Sequence, residues 1–153
     1  MEVRNACDIA AGYGKVYRMP PVAVDWSRDQ KMGWAVGVFS GCCGNDDVEI
    51  KHIKIDKSEK VYERLEIHDR SCQMYAVISG SVAVPVSDEL SAKSVEFYRV
   101  KAGEAVIVND KVWHAGAVGM DVPADVIVVL RAGTTNEDIT KQAIEPSLVF
   151  RKR

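Results

Sequence analysis

Short runs rich in apolar and β-branched side chains, some of them alternating with polar ones, recur along the chain as strand candidates. They are Ala35–Phe39, Val48–Ile55, Val61–His68, Gln73–Ile78, Ser81–Val86, Val95–Val100, Ala105–Val108, Val112–Val118 and Asp125–Arg131. Alternation with a period of two marks strands with one buried face. Turn-forming residues separate many of the runs: Gly41, Gly44 and Asn45, then Asp56-Lys57-Ser58, Ser79-Gly80 and Asn109-Asp110. Many short strands at near-regular spacing predict a sandwich or a barrel. Pro85 lacks the N–H that a central strand needs, so its strand is expected to lie at an edge or end early. The first thirty or so residues, punctuated by Gly12, Gly14, Pro20 and Pro21, read as a lead-in without long elements.

One helix is expected near the C-terminus. Thr135-Asn136-Glu137-Asp138 has the form of a capping box, its acidic residues suit the positive end of the helix dipole, and Glu145-Pro146 would stop the helix. Within Val61–His68 the period of two puts Val61, Leu65 and Ile67 on one face, which reads as packing. Tyr62, Arg64, Glu66 and His68 share the other. A carboxylate and an imidazole side by side inside a small barrel would form a polar pocket, which burial penalises unless it has a use.

Composition strengthens the β reading. The chain has 23 Val and 10 Ile against 4 Leu, and β-branched side chains lose rotamer freedom in a helix. Its 153 residues suit one domain, and its 47% hydrophobic content can fill a core. The net charge of -2 lacks the basic excess of nucleic-acid or membrane-surface proteins. No apolar run is long enough to span a bilayer, and the start lacks the basic-then-apolar order of a signal peptide, so the expected compartment is the cytoplasm. The four cysteines, Cys7, Cys42, Cys43 and Cys72, include no C-x-x-C pair and are expected to be reduced thiols.

The spacing of the polar residues carries a resemblance. Glu66-Ile67-His68 is followed by Gln73 and then Gly80, and Gly103 is followed by Asn109, Lys111 and Trp113-His114. This resembles the two-part cupin motif. Glu66 stands for the first His, Gln73 for the Glu, and Asn109 and Lys111 for the Pro and Gly of the second part. Within the cupins the pattern is similar to the ureidoglycolate lyase family, formerly called ureidoglycolate hydrolase. Val112-Trp113-His114, the series Asp125, Arg131 and Gly133, and Tyr13, Gly14 and Val16 match further family positions.

The resemblance implies an all-β, cupin-like barrel or jelly roll over residues 1–153, with a short C-terminal helix, that forms a homodimer. It implies an amidine-lyase that releases urea from ureidoglycolate to give glyoxylate, or that acts on a similar small hydroxy acid. Two other classes stay open: a metal-dependent cupin isomerase or dioxygenase, and a non-catalytic cupin that binds a small ligand. His68, His114, Glu66 and Gln73 are the candidate catalytic residues. Histidine suits proton transfer near neutral pH, and an amide offers both a donor and an acceptor. The same four side chains could hold a divalent metal, so the cofactor is either none or such an ion. Arg64, Lys111 and Arg131, with Lys54, are the cations available to anchor a substrate carboxylate. His68 and His114 are expected to converge on one solvated pocket.

Overall fold

The structure, a computed structural model, describes residues 2–18, 24–27, 30–32 and 47–152. The expected strand Ala35–Phe39 and the Cys42-Cys43 pair lie outside these residues. Twelve strands are described: β1 (Val3–Asn5), β2 (Gly14–Arg18), β3 (Val24–Ser27), β4 (Gln30–Met32), β5 (Val48–Ile55), β6 (Glu59–Ile67), β7 (Gln73–Ser87), β8 (Glu96–Lys101), β9 (Glu104–Val108), β10 (Trp113–His114), β11 (Val118–Arg131) and β12 (Thr140–Arg151). A 3-10 turn (Ala6–Asp8) and one helical turn, α1 (Thr134–Glu137), complete the set. All strands but β3 and β4 join one curled sheet. No helix among the described residues is long and apolar enough to cross a membrane.

β7 organises this sheet. Its first half pairs with β9 on one side and β11 on the other, and its second half pairs with β8 and again with β11. The expected break at Ser79-Gly80 is a bend within one strand, made by Gly80 at φ 71. Pro85 does not end the strand. It pairs with Phe97 of β8, while opposite it the β11 register stops at Ala83 and the β10 register resumes at Val86. The missing N–H therefore falls in a gap in the ladder.

Alternation along β7 fills two cores. Tyr75, Val77, Val82, Val84 and Val86 join Val126, Val128 and Leu130 of β11 inside the barrel. Ala83 faces the other way, into a cluster of Tyr62, Leu65, Phe97, Ile144 and Phe150. This second cluster departs from the simple period along β6. Tyr62 and Leu65 are both buried and Val61 is 56% exposed. The β6–β12 pairing is irregular between Ala143 and Leu148, so facing is not conserved across that point.

The C-terminal helix is shorter than its local signals suggest. Only one turn forms, with Gly133 at φ 86 as its N-cap, and residues from Thr140 onward form β12. The Thr135 hydroxyl binds Glu49. The Asp138 carboxylate accepts the backbone N–H groups of Asp69 (3.0 Å) and Arg70 (2.9 Å) rather than capping a helix. Cys72 is buried and disulfide-bonded, which overturns the expectation of a reduced thiol there; Cys7 is free.

Candidate functional site

Four segments meet at one end of the barrel. His114 of β10 lies opposite Glu66 of β6 in the antiparallel register. His68 follows β6, and Gln73 opens β7. The link between the two halves of the motif is a backbone bond, Lys111 N–H to the His68 carbonyl at 2.7 Å. Lys111 makes this bond at φ 59, the sole positive φ of a non-glycine among the described residues. It stands where the cupin pattern has its Gly, a position that favours a residue without Cβ.

The imidazoles converge on the Gln73 side chain. Nε2 of His68 lies 2.9 Å, and Nε2 of His114 3.1 Å, from Gln73 Oε1. The rings are 4.9 Å apart between centroids. Each ring is fixed from behind by a carbonyl: His68 Nδ1–H donates to Asp138 O (2.6 Å) and His114 Nδ1–H to Val112 O (2.8 Å). With Nδ1 protonated, a neutral imidazole presents only a lone pair at Nε2. Burial pushes the His114 pKa down to about 4, opposed by its bond to Val112 and the Glu66 charge and reinforced by His68. His114 is therefore neutral near pH 7.

With both rings neutral, lone pairs on two nitrogens and one oxygen face each other. Two arrangements relieve this contact. A cation between them takes all three as ligands. A half-turn of the amide instead lets its NH2 donate to both imidazoles, while its oxygen accepts the Tyr75 hydroxyl, which lies 2.6 Å from the other end of the amide. The first arrangement suits a metal-loaded site and the second a metal-free one.

The donor set fits a divalent metal. Bonds of about 2.1 Å place adjacent ligand atoms about 3 to 3.4 Å apart, and the two Gln73 contacts, at 2.9 and 3.1 Å, lie at the short end of that spacing. Glu66, His68 and His114 offer ligand atoms within 4.8 Å of one another. Glu66 stands wider than the rest, 3.8 Å from His114 Nε2, and its other oxygen lies 3.5 Å from Lys141 on β12.

The histidines are not the solvated pocket groups expected: His68 is 2% exposed and His114 1%. They stand behind Glu66, Gln73 and Tyr75, which line a cavity of about 470 Å³ together with Lys60, Val126 and Val128. Burial above all, with the Glu66 charge behind it, raises the Tyr75 hydroxyl well above its ordinary range, so it stays protonated. Burial lowers the Lys60 ammonium, against the pull of Glu66.

The structure does not bring Arg64, Lys111 and Arg131 to this cavity. Arg64 is exposed along an adjoining groove with Lys141. Lys111 lines a separate hollow with Arg4, Tyr13 and Glu96. On β11, Leu130 pairs with Gln73, so its neighbour Arg131 faces the opposite side of the sheet. Among the described residues Arg131 Nε and Nη2 are buried without a hydrogen-bond partner. Lys54 is exposed at the cavity rim.

Three residues of this site were not singled out in the sequence. Tyr75 is two residues past Gln73 on one strand, so alternation alone could have found it, whereas Lys60 lies across the register shift of β6, where parity no longer tells the face. Asp138, which holds His68 through its carbonyl and the 69–70 loop through its carboxylate, gives no such signal.

No protein-family profile matches the chain, and neither does any curated protein. Solved structures do. A mutant of the 3,4-ketoisomerase QdtA from Thermoanaerobacterium thermosaccharolyticum, in complex with TDP-4-keto-6-deoxyglucose, is 10% identical, with a TM-score of 0.57 over 82% of this chain and 85% of that one. QdtA in complex with TDP has the same coverage and score at 8% identity. A 3,4-ketoisomerase from Helicobacter canadensis is 12% identical with a TM-score of 0.49, and 66% of its length is covered. At such identities the likeness defines the fold. The chain is an all-β, cupin-like barrel with one short helix.

The depressed His114 pKa has a consequence for stability. An unfolded imidazole titrates near 6.5, and His114 in the fold near 4. Between these values the unfolded chain binds a proton that the folded chain refuses, so stability falls as pH drops. The full difference is about 3 kcal/mol by pH 4, and none of it operates above pH 7. Urea denaturation of metal-stripped protein at pH 7 and 4.5 should show this loss in the wild type and not in His114→Asn. Equal losses in the two proteins would refute the assignment.

Proposed function

We propose that this protein is a metal-binding cupin enzyme of the lyase type, acting on a small hydroxy acid such as ureidoglycolate. The observation that carries this reading is the meeting of three buried lone-pair donors, His68 Nε2, His114 Nε2 and Gln73 Oε1, at the end of a cavity that also presents a carboxylate and a phenol. The three donors would hold a divalent ion, and its chemistry there would be Lewis-acid polarisation of a substrate oxygen.

The remaining groups divide the proton work. Ureidoglycolate loses its hydroxyl proton as its carbon–nitrogen bond breaks, giving the glyoxylate aldehyde, and the departing nitrogen takes a proton to become urea. Glu66, wide of ligand spacing and facing the cavity, is the base for the hydroxyl. Tyr75, held protonated by burial, donates to the nitrogen and recovers its proton from Glu66 through solvent.

The test is glyoxylate release from ureidoglycolate, followed with and without a chelator, beside elemental analysis of the purified protein. The reading expects one divalent metal per chain and a chelator-sensitive rate. In this scheme Glu66→Gln keeps the metal and loses at least about 100-fold in rate. Absence of both metal and glyoxylate release would sink the proposal.

A further inference from the structure

The cavity has four lysines in its lining, Lys51, Lys54, Lys57 and Lys60, and they are not equivalent. The Lys51 ammonium is bonded to Thr135 Oγ1 at 2.6 Å, with Glu49 at 3.7 Å. Lys54 and Lys57 are exposed at the rim. Lys60 alone is drawn into the wall. Its Nζ donates to the Gly116 carbonyl at 2.9 Å and lies 5.0 Å from the centroid of the Tyr62 ring. Among the described residues no carboxylate lies within 4.0 Å of it. An ammonium has three donors, and here one is bound and one face rests on an aromatic ring. The rest is unused, at a cavity wall.

Position sets the size of what could meet it. Gly116 follows His114 by two residues, a span of no more than about 7 Å of chain. Lys60, Glu66, Gln73 and Tyr75 line this one cavity, so a small molecule bonded to Lys60 also faces the Glu66 and Gln73 side chains. Among the described residues the wall offers one partly buried cation without a carboxylate partner, and no guanidinium fork, which suits a single negative charge better than a doubly charged phosphate.

We propose that Lys60 is the anchor for the carboxylate of a short-chain acid, holding it so that the atoms next to the carboxylate reach Glu66 and Tyr75. This rests on the small-hydroxy-acid reading above and adds to it the residue that selects the anionic end. Lys60 is a positioning and specificity residue, with no share in the proton transfers.

The test is a binding titration by NMR on the full chain, stripped of metal so that the outcome is independent of the metal and of turnover. The probes are glycolate, its neutral analogue glycolamide, and inorganic phosphate. Wild type should bind glycolate at least 10-fold more tightly than glycolamide or phosphate. Lys60→Met should weaken glycolate at least 10-fold and leave glycolamide unchanged, and Lys60→Arg should restore part of the loss. Lys54→Met and Lys57→Met should each change glycolate affinity less than 3-fold. Should the Met variant melt far below wild type, Lys60→Gln, which keeps a donor for the Gly116 carbonyl, replaces it with the same expectations. A glycolate affinity within 3-fold of wild type in the Lys60 variant overturns the proposal, and so does tighter binding of phosphate or equal binding of glycolamide. Failure of ureidoglycolate turnover alongside a Lys60-dependent glycolate site would remove the lyase reading and leave this one standing.

Discussion

Replacing His114 by Asn will lower turnover about 100-fold or more and abolish metal binding, while the protein still folds. The choice of Asn follows from the geometry. The ring's Nδ1–H holds the Val112 carbonyl and its Nε2 faces Gln73. An Asn amide nitrogen sits close to where Nδ1 was, so the backbone bond survives and only the Nε2 lone pair is lost. His114→Ala removes both, and leaves a cavity and an unpaired buried carbonyl, at a cost of about 2 to 4 kcal/mol. A loss of activity in the Ala variant alone would therefore confuse folding with chemistry. The same pair of substitutions at His68 tests its bond to the Asp138 carbonyl. Assays of the Asn variants at equal folded fraction decide the matter, and a rate within 10-fold of wild type at either position would contradict the site described.

Gly80→Ala will be among the most damaging single-methyl additions in the chain. Gly80 sits at φ 71 in the bend of β7, and a Cβ there would press on the carbonyl oxygens of Asp121 and Pro123, the latter at 2.8 Å. Gly103 supplies the control, since it has φ 83 and a Cβ added to it would meet nothing within 4 Å. Gly103→Ala should cost only the left-handed backbone term, about 1 to 2 kcal/mol. Gly80→Ala adds backbone overlap that side-chain motion cannot relieve, for a total of roughly 3 kcal/mol or more. For a chain of this size that lowers the melting temperature by about 10 °C. Thermal melts of the two variants side by side isolate the overlap, and indistinguishable melting points would show that β7 yields at the bend.

Much of the sheet was legible because its inner residues alternate with outer ones. β5 matches its expected bounds, and the β7 and β11 cores follow the Val-rich alternation. The misreadings have local causes. β12 buries only Ile144 and Phe150 outright, too few anchors to display a period, while the Thr135–Asp138 pattern imitates a helix start. That aspartate is engaged by the backbone of residues 69 and 70, a partner no local window contains. On β6, parity carried Glu66 and His68 to the same place but failed for Val61, because the pairing with β12 shifts between them. The cations were the least legible part. Arg64, Lys111 and Arg131 were candidates by charge alone, and which way a long side chain leaves the sheet is decided by register. Lys60, one residue before the expected strand, lies beyond the same shift as Val61, so parity with Glu66 could not place it.

Two of the bonds that complete the site join residues far apart in the chain: 70 residues separate His68 from Asp138, and 41 separate Gln73 from His114. Each bond closes a long loop, whose entropy is lost before the contact returns anything. Local pairing therefore cannot assemble the donor set, which exists only once the barrel has closed. A nascent or half-folded chain offers isolated side chains, and an ion or acid that needs all of them passes it by. Occupancy then acts on the finished fold alone and draws the folding equilibrium toward it by mass action. A ligand held by all of these side chains would thus serve the barrel as a latch.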